Sequence, residues 1–132
     1  SIFGSKNDVS GAEESGINRR INREKLSKET LLTELKNDKY RQEIYSGITG
    51  LIEVRKQEKA FNPYSEQELV DCPKGVFALR RKNGRSIVES YTNVSDEPVE
   101  IKEVSGIDLL TGKMIQHYLQ LAPYEFAWIK KG

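Results

Sequence analysis

The chain has 132 residues, a formal net charge of +1, 36% hydrophobic and 31% charged residues, and one cysteine, Cys72. This allows one ordinary domain, or a small domain plus part of another, with enough apolar content for a folded core. Near-neutrality excludes a global field drawing the chain to nucleic acid or anionic lipid, a lone cysteine excludes an internal disulfide, and no apolar run approaches the roughly twenty residues of a membrane span.

Cysteine usage and the lack of a basic-then-apolar leader make the cytoplasm the default location. The chain begins Ser1-Ile2-Phe3-Gly4 without a methionine, which suggests processing or a piece of something longer. Residues 1–26 are rich in glycine, serine and asparagine without a sustained period, and read as a long irregular loop. Within it, the stretch Gly16–Lys25 carries Arg19, Arg20, Arg23 and Lys25. Guanidinium forks suit carboxylates, phosphates or paired sugar hydroxyls, and the same cations also suit a solvated surface.

Ser27 offers an N-cap and Glu29 an acid in the first turn of a short helix with Leu31, Leu32 and Leu35 on one face. A second helix follows over Asp38–Ala60, with Ile44, Ile48, Leu51 and Ile52 at i, i+4, i+7 and i+8. It should stop before Pro63. From about residue 66 the pattern becomes strand-like, beginning with Glu68–Asp71. Two longer runs flank Asn83-Gly84, taken as the two central residues of a hairpin. Val99–Lys102 alternates, Ile107–Leu110 leads into a turn at Thr111-Gly112-Lys113, and a closing pair, His117–Leu121 and Tyr124–Lys130, is joined by Ala122-Pro123. Six or seven short strands with frequent turns indicate a small antiparallel sandwich or sheet, so the fold class is α+β with a division at residue 63.

Chemical signatures are few. A Gly-rich phosphate loop, Cys/His metal spacing and Gly-x-Ser-x-Gly are all missing, so no metal or cofactor is expected. His117 reads as structural or surface, Cys72 as a small buried residue, and the alternating Tyr124, Phe126 and Trp128 as a core stripe or, less simply, a sugar-stacking platform.

Read together, the blocks resemble a known family. Ser1–Asp8, then Ile21-Asn22-Arg23 before a helix, then a helix closing in Ala60-Phe61, resemble the end of the catalytic barrel of sucrose phosphorylases and the related phosphorylases of glucosylglycerate and sucrose phosphate, in the α-amylase superfamily. Val76–Arg81, Thr92–Ser95, Asp108–Gly112 and Leu121–Tyr124 are similar to that superfamily's C-terminal β-domain. The resemblance implies that residues 1–63 are the last loop and helices of an incomplete TIM barrel, and residues 64–132 an appended β-domain that supports the barrel.

It further implies a retaining glucosyl transfer between an α-glucoside and phosphate, with catalytic carboxylates upstream and none on this chain. The arginine of Ile-Asn-Arg, here Arg23, would contact glucose hydroxyls, with Asn22 shaping the loop; Asn7 and Asp8 match the family's Lys-Asn-Asp segment without an assigned role. The chain alone should be inactive, with the Arg23 loop poorly ordered and the apolar face of helix Asp38–Ala60 packed on the β-domain or self-associated. Two other readings remain: a stand-alone carbohydrate- or protein-binding β module, and phosphate gripping of nucleic acid by Arg19, Arg20, Arg23 and Lys25, which the near-neutral charge disfavours.

Overall fold

In a computed structural model, residues 6–132 are described, and the Ser1–Ser5 part of the matched opening lies outside them. The chain is α+β. It forms two compact units, one ending at Leu51 and the other spanning Ile52–Gly132.

The first unit replaces the expected irregular loop with short local structure: strand β1 (Asn7–Asp8), helix α1 (Ser10–Ser15), a 3₁₀ turn at Asn18–Arg20 and strand β2 (Asn22–Arg23). Each piece is shorter than a helical or strand period can register in sequence. Gly16 ends α1 in the left-handed conformation at φ 67°, returning its N–H to the Ala12 carbonyl at 2.8 Å. Helix α2 (Lys28–Asn37) starts where the sequence placed it, with Ser27 Oγ accepting the Thr30 N–H at 3.0 Å. Helix α3 covers Lys39–Gln57, and Asp38 Oδ1 accepts the Arg41 N–H at 3.2 Å to begin it. The helix ends three residues short of Ala60, because Lys59–Phe61 tightens into a 3₁₀ turn. No residue of α2 or α3 is buried.

The second unit is a β-sandwich of eight strands: β3 (Glu66–Leu69), β4 (Val76–Asn83), β5 (Ser86–Asn93), β6 (Val99–Lys102), β7 (Gly106–Asp108), β8 (Met114–Ile115), β9 (Tyr118–Leu121) and β10 (Phe126–Lys130). Six of them form one sheet in the order β3-β4-β5-β10-β7-β8, and β6 pairs with β9 in a second. The first strand thus begins two residues earlier than Glu68. The β4–β5 hairpin is centred on Gly84-Arg85, with Asn83 paired to Ser86, one residue later than the Asn-Gly signal suggests. Gly84 supplies the positive φ, 59°, at the first central position, so asparagine is free to remain in the ladder.

The closing pair does not pair. β9 joins β6, whereas β10 inserts between β5 and β7, so Ala122-Pro123 is a crossover between sheets rather than a hairpin turn. The main core fills the space between the sheets with Ala78, Tyr91, Ala127 and Ile129 from one side and Ile101, Leu119 and Leu121 from the other. Ile129 is fully buried, worth about 1.5–3 kcal/mol. Of the aromatic stripe, Phe126 and Trp128 lie on the opposite face of β10, with Phe126 39% exposed, whereas Tyr124 sits in the preceding turn at φ 59° and is 68% exposed. Trp128 is packed there, 4.7 Å from the Phe61 ring in a smaller cluster with Ala60 and Val88, and 6.2 Å from the Phe126 ring. Alternation identified a shared face, but which face is buried depends on where β6 and β9 lie.

The matched β segments are turn builders. Asn93, 1% exposed, donates to the carbonyls of Glu97 and Ala122 at 2.7 and 2.9 Å and accepts from Ser95 N and Oγ at 3.0 and 2.7 Å, using its whole hydrogen-bonding capacity. Asp108 accepts from Leu110 N at 3.1 Å and Thr111 Oγ1 at 2.6 Å, shaping the turn that Gly112 completes at φ 71°. Arg81 donates to the carbonyls of Ala60 and Asn62 at 3.2 and 3.0 Å, fastening the Ala60-Phe61 corner.

Candidate functional site

The two segments singled out near the N-terminus come together. β1 and β2 pair antiparallel, with Asn7 opposite Arg23 and Asp8 opposite Asn22, so Lys6-Asn7-Asp8 and Ile21-Asn22-Arg23 form one small ladder. The ladder is extended by Glu24, whose N–H donates to the Lys6 carbonyl at 3.1 Å while its Oε2 accepts the Lys6 N–H at 3.3 Å. Asn22 Nδ2 donates to the Arg20 carbonyl at 3.2 Å.

Arg23 is exposed, and among the described residues no carboxylate lies within ion-pair distance of its guanidinium. Five N–H donors on a planar fork are thus presented on a two-strand platform, an arrangement that can grip paired hydroxyls or an anion. Asp8 is held ionised below the ordinary carboxylate value, first by the Ser10 hydroxyl and then by the Ser10 N–H. Arg19 and Arg20 lie on the 3₁₀ turn, also exposed, and the described residues do not assign them a ligand.

The other singled-out residues do not join this site. His117 is exposed at φ 69°. Cys72 is half-buried against the main core, and burial pushes its thiol up, away from the thiolate form that a nucleophile needs. Among the described residues no group of three His, Cys, Asp or Glu side chains is placed to hold a metal, and no helix is long and apolar enough to cross a membrane.

Sequence reasoning missed two buried carboxylates: Glu89, because an acidic residue in a strand reads as the solvent face, and Glu58, because it follows the charged end of α3. Glu89, 2% exposed, sits on the core face of β5. It pairs with Arg80 at 2.7 Å and Lys131 at 2.8 Å and accepts the Tyr91 hydroxyl at 2.7 Å. Glu58 accepts from Ser86 Oγ and pairs with Lys130 at 2.7 Å. Burial pushes both carboxyls up, yet these partners outweigh it and leave both below 4.5. Burial, and then the bond to Glu89, raises Tyr91, which stays protonated. The available sequence clue was Lys130-Lys131 ending a strand, where consecutive cations point to opposite faces.

No protein-family profile matches the chain. It is 36% identical over 130 residues to the glucosylglycerate phosphorylase of Allomeiothermus silvanus, covering 98% of this chain and 23% of that protein. It is 30% identical over 135 residues to the enzyme of that name from Escherichia coli, covering 98% and 24%. The chain thus spans about a quarter of the length of these relatives. Among solved structures, AmyP in complex with maltose superposes with a TM-score of 0.63 at 14% identity, over 70% of this chain and 21% of AmyP. A MutB variant in complex with sucrose gives 0.61 at 18%, over 76% and 19%. At such identities the structural matches speak for the fold. Together, the sequence relatives and the shared fold support a C-terminal part of a phosphorylase-like enzyme.

Proposed function

We propose that the chain completes an enzyme that transfers a glucosyl group between an α-glucoside and phosphate, with residues 1–63 closing its barrel and residues 64–132 forming the supporting β-domain. The observation that carries this reading is the match of 98% of the chain to glucosylglycerate phosphorylases. That match also favours glucosylglycerate over sucrose as donor. The reaction retains configuration through two displacements, one carboxylate attacking the anomeric carbon and a second acting as acid and then base. Both carboxylates belong to barrel strands upstream, so this chain alone binds sugar weakly and turns nothing over. Arg23 contacts glucose hydroxyls from the β1–β2 ladder, and Asn22 holds its loop. The enzyme works in the cytoplasm, and in the isolated chain the unburied stripe of α3, with Ile52 44% exposed, draws two copies together.

The test is release of glucose 1-phosphate from glucosylglycerate, sucrose and sucrose phosphate, by the intact enzyme and by the 132-residue chain. Release from glucosylglycerate by the intact enzyme alone is expected; turnover by the chain itself, or by neither, overturns the reading. A second reading, a stand-alone carbohydrate-binding module, is favoured only by the exposed Tyr124 and Phe126, and saturable glycan binding lost on their replacement would support it.

A further inference from the structure

The arginine-bearing segment closes on itself through a ring of contacts. Asp8 stands opposite Asn22 in the ladder, and its Oδ1 accepts Ser10 N at 3.1 Å and Ser10 Oγ at 2.7 Å, at the first residue of α1. One residue further, Gly11 lies against the 3₁₀ turn: a Cβ added there would sit 3.0 Å from the Arg20 carbonyl oxygen and 3.4 Å from Arg20 Cβ. The same carbonyl accepts Asn22 Nδ2 at 3.2 Å, and Asn22 leads back to Asp8. The Arg20 carbonyl is thus held between Gly11 on one side and the Asn22 amide on the other, three residues ahead of Arg23.

We propose that Asp8 and Gly11 are positioning residues for the Arg23 guanidinium, with Asp8 fixing the start of α1 and Gly11 letting α1 close on the Arg20 carbonyl. The proposal rests on the reading of Arg23 as the sugar contact. Two physical points carry it. The atom that a side chain at residue 11 would strike is backbone, which cannot rotate away, so a shift there is passed along the chain to Asn22 and Arg23. Asp8 needs only an acceptor at Oδ1, because both of its bonds come from Ser10, so an amide at residue 8 can do the same work. A displacement of a fraction of an ångström at a sugar-contacting fork is enough to matter, since a misplacement of about 1 Å can cost about 100-fold in rate.

The test has two arms. In the 132-residue chain, the Arg23 Nε–H resonance and the exchange rate of the Glu24 amide are followed in Asp8→Ala, Asp8→Asn and Gly11→Ala. Asp8→Ala and Gly11→Ala should move the resonance and speed the exchange about tenfold, while Asp8→Asn stays near wild type. In the intact enzyme the same variants should lower kcat/KM for the α-glucoside about tenfold, again with recovery in Asp8→Asn. An unmoved Arg23 resonance in both Asp8→Ala and Gly11→Ala overturns the proposal, as does wild-type kcat/KM in those variants when Arg23→Ala is impaired. If Arg23→Ala has normal kinetics while the resonance still moves, the sugar contact is lost as a reading and the positioning stands. Should Gly11→Ala fail to fold, the two Asp8 variants decide between the outcomes.

Discussion

The Lys130 ammonium lies 2.7 Å from Glu58 Oε2, a pair whose carboxylate side chain is 7% exposed and whose lysine is 44% exposed. It joins the segment leaving α3 to the end of β10. The next residue, Lys131, reaches Glu89 on the opposite face of the sheet at 2.8 Å. The last strand is therefore pinned from both sides.

Removing one partner of a buried pair strands the other charge, which costs about 3–5 kcal/mol when both are dry. The half-exposed Lys130 lowers that figure, and Ser86 Oγ and the Ala60 N–H still serve Glu58. Lys130→Ala should cost about 2 kcal/mol in urea unfolding. A loss under about 0.5 kcal/mol would show that the pair behaves as a surface contact.

Acid should destabilise the β unit in a defined direction. Burial raises Glu58 and Glu89, but their partners lower them further, so the folded values lie under 4.5. A folded value below the unfolded one gives stability that is complete above about pH 4.5 and is lost as pH falls through the folded values. Melting temperature should hold between about pH 7 and 5 and drop below about 4. Glu89→Gln should be less stable at neutral pH and show a shallower acid limb; an unchanged limb would remove Glu89 from the account.

Gly106 tests the packing at the same strand. At φ 146°, an added Cβ would run into the Lys130 carbonyl oxygen and come within 2.8 Å of Ile129 Cγ2, on a residue with no free space. Gly106→Ala should cost about 3 kcal/mol or more, seen as a lower denaturation midpoint. Near-native stability would mean that β7 does not pair with β10 as described.

What was legible in the sequence follows from how local each determinant is. The starts of α2 and α3 were readable because Ser27 and Asp38 act within one turn of themselves. The hairpin was readable from Gly84, although its centre was one residue off because asparagine is equally content in the ladder. The partner of β9 was not readable: Leu119 and Leu121 satisfy alternation against either neighbour, and only the opposing sheet decides. The same long-range choice buried Ala127 and Ile129 instead of Phe126 and Tyr124. At the candidate site, Asn22 and Arg23 came from resemblance. Their pairing with Asp8 and Asn7 did not, since two-residue strands leave no period.

The most direct measurement is the steady-state phosphorolysis of glucosylglycerate by the intact enzyme carrying Arg23→Ala. A guanidinium that contacts sugar hydroxyls in the transition state predicts a fall in kcat/KM of about 100-fold, with the melting temperature unchanged because the side chain is exposed. An unaltered kcat/KM would contradict the account and return Arg23 to the solvated surface.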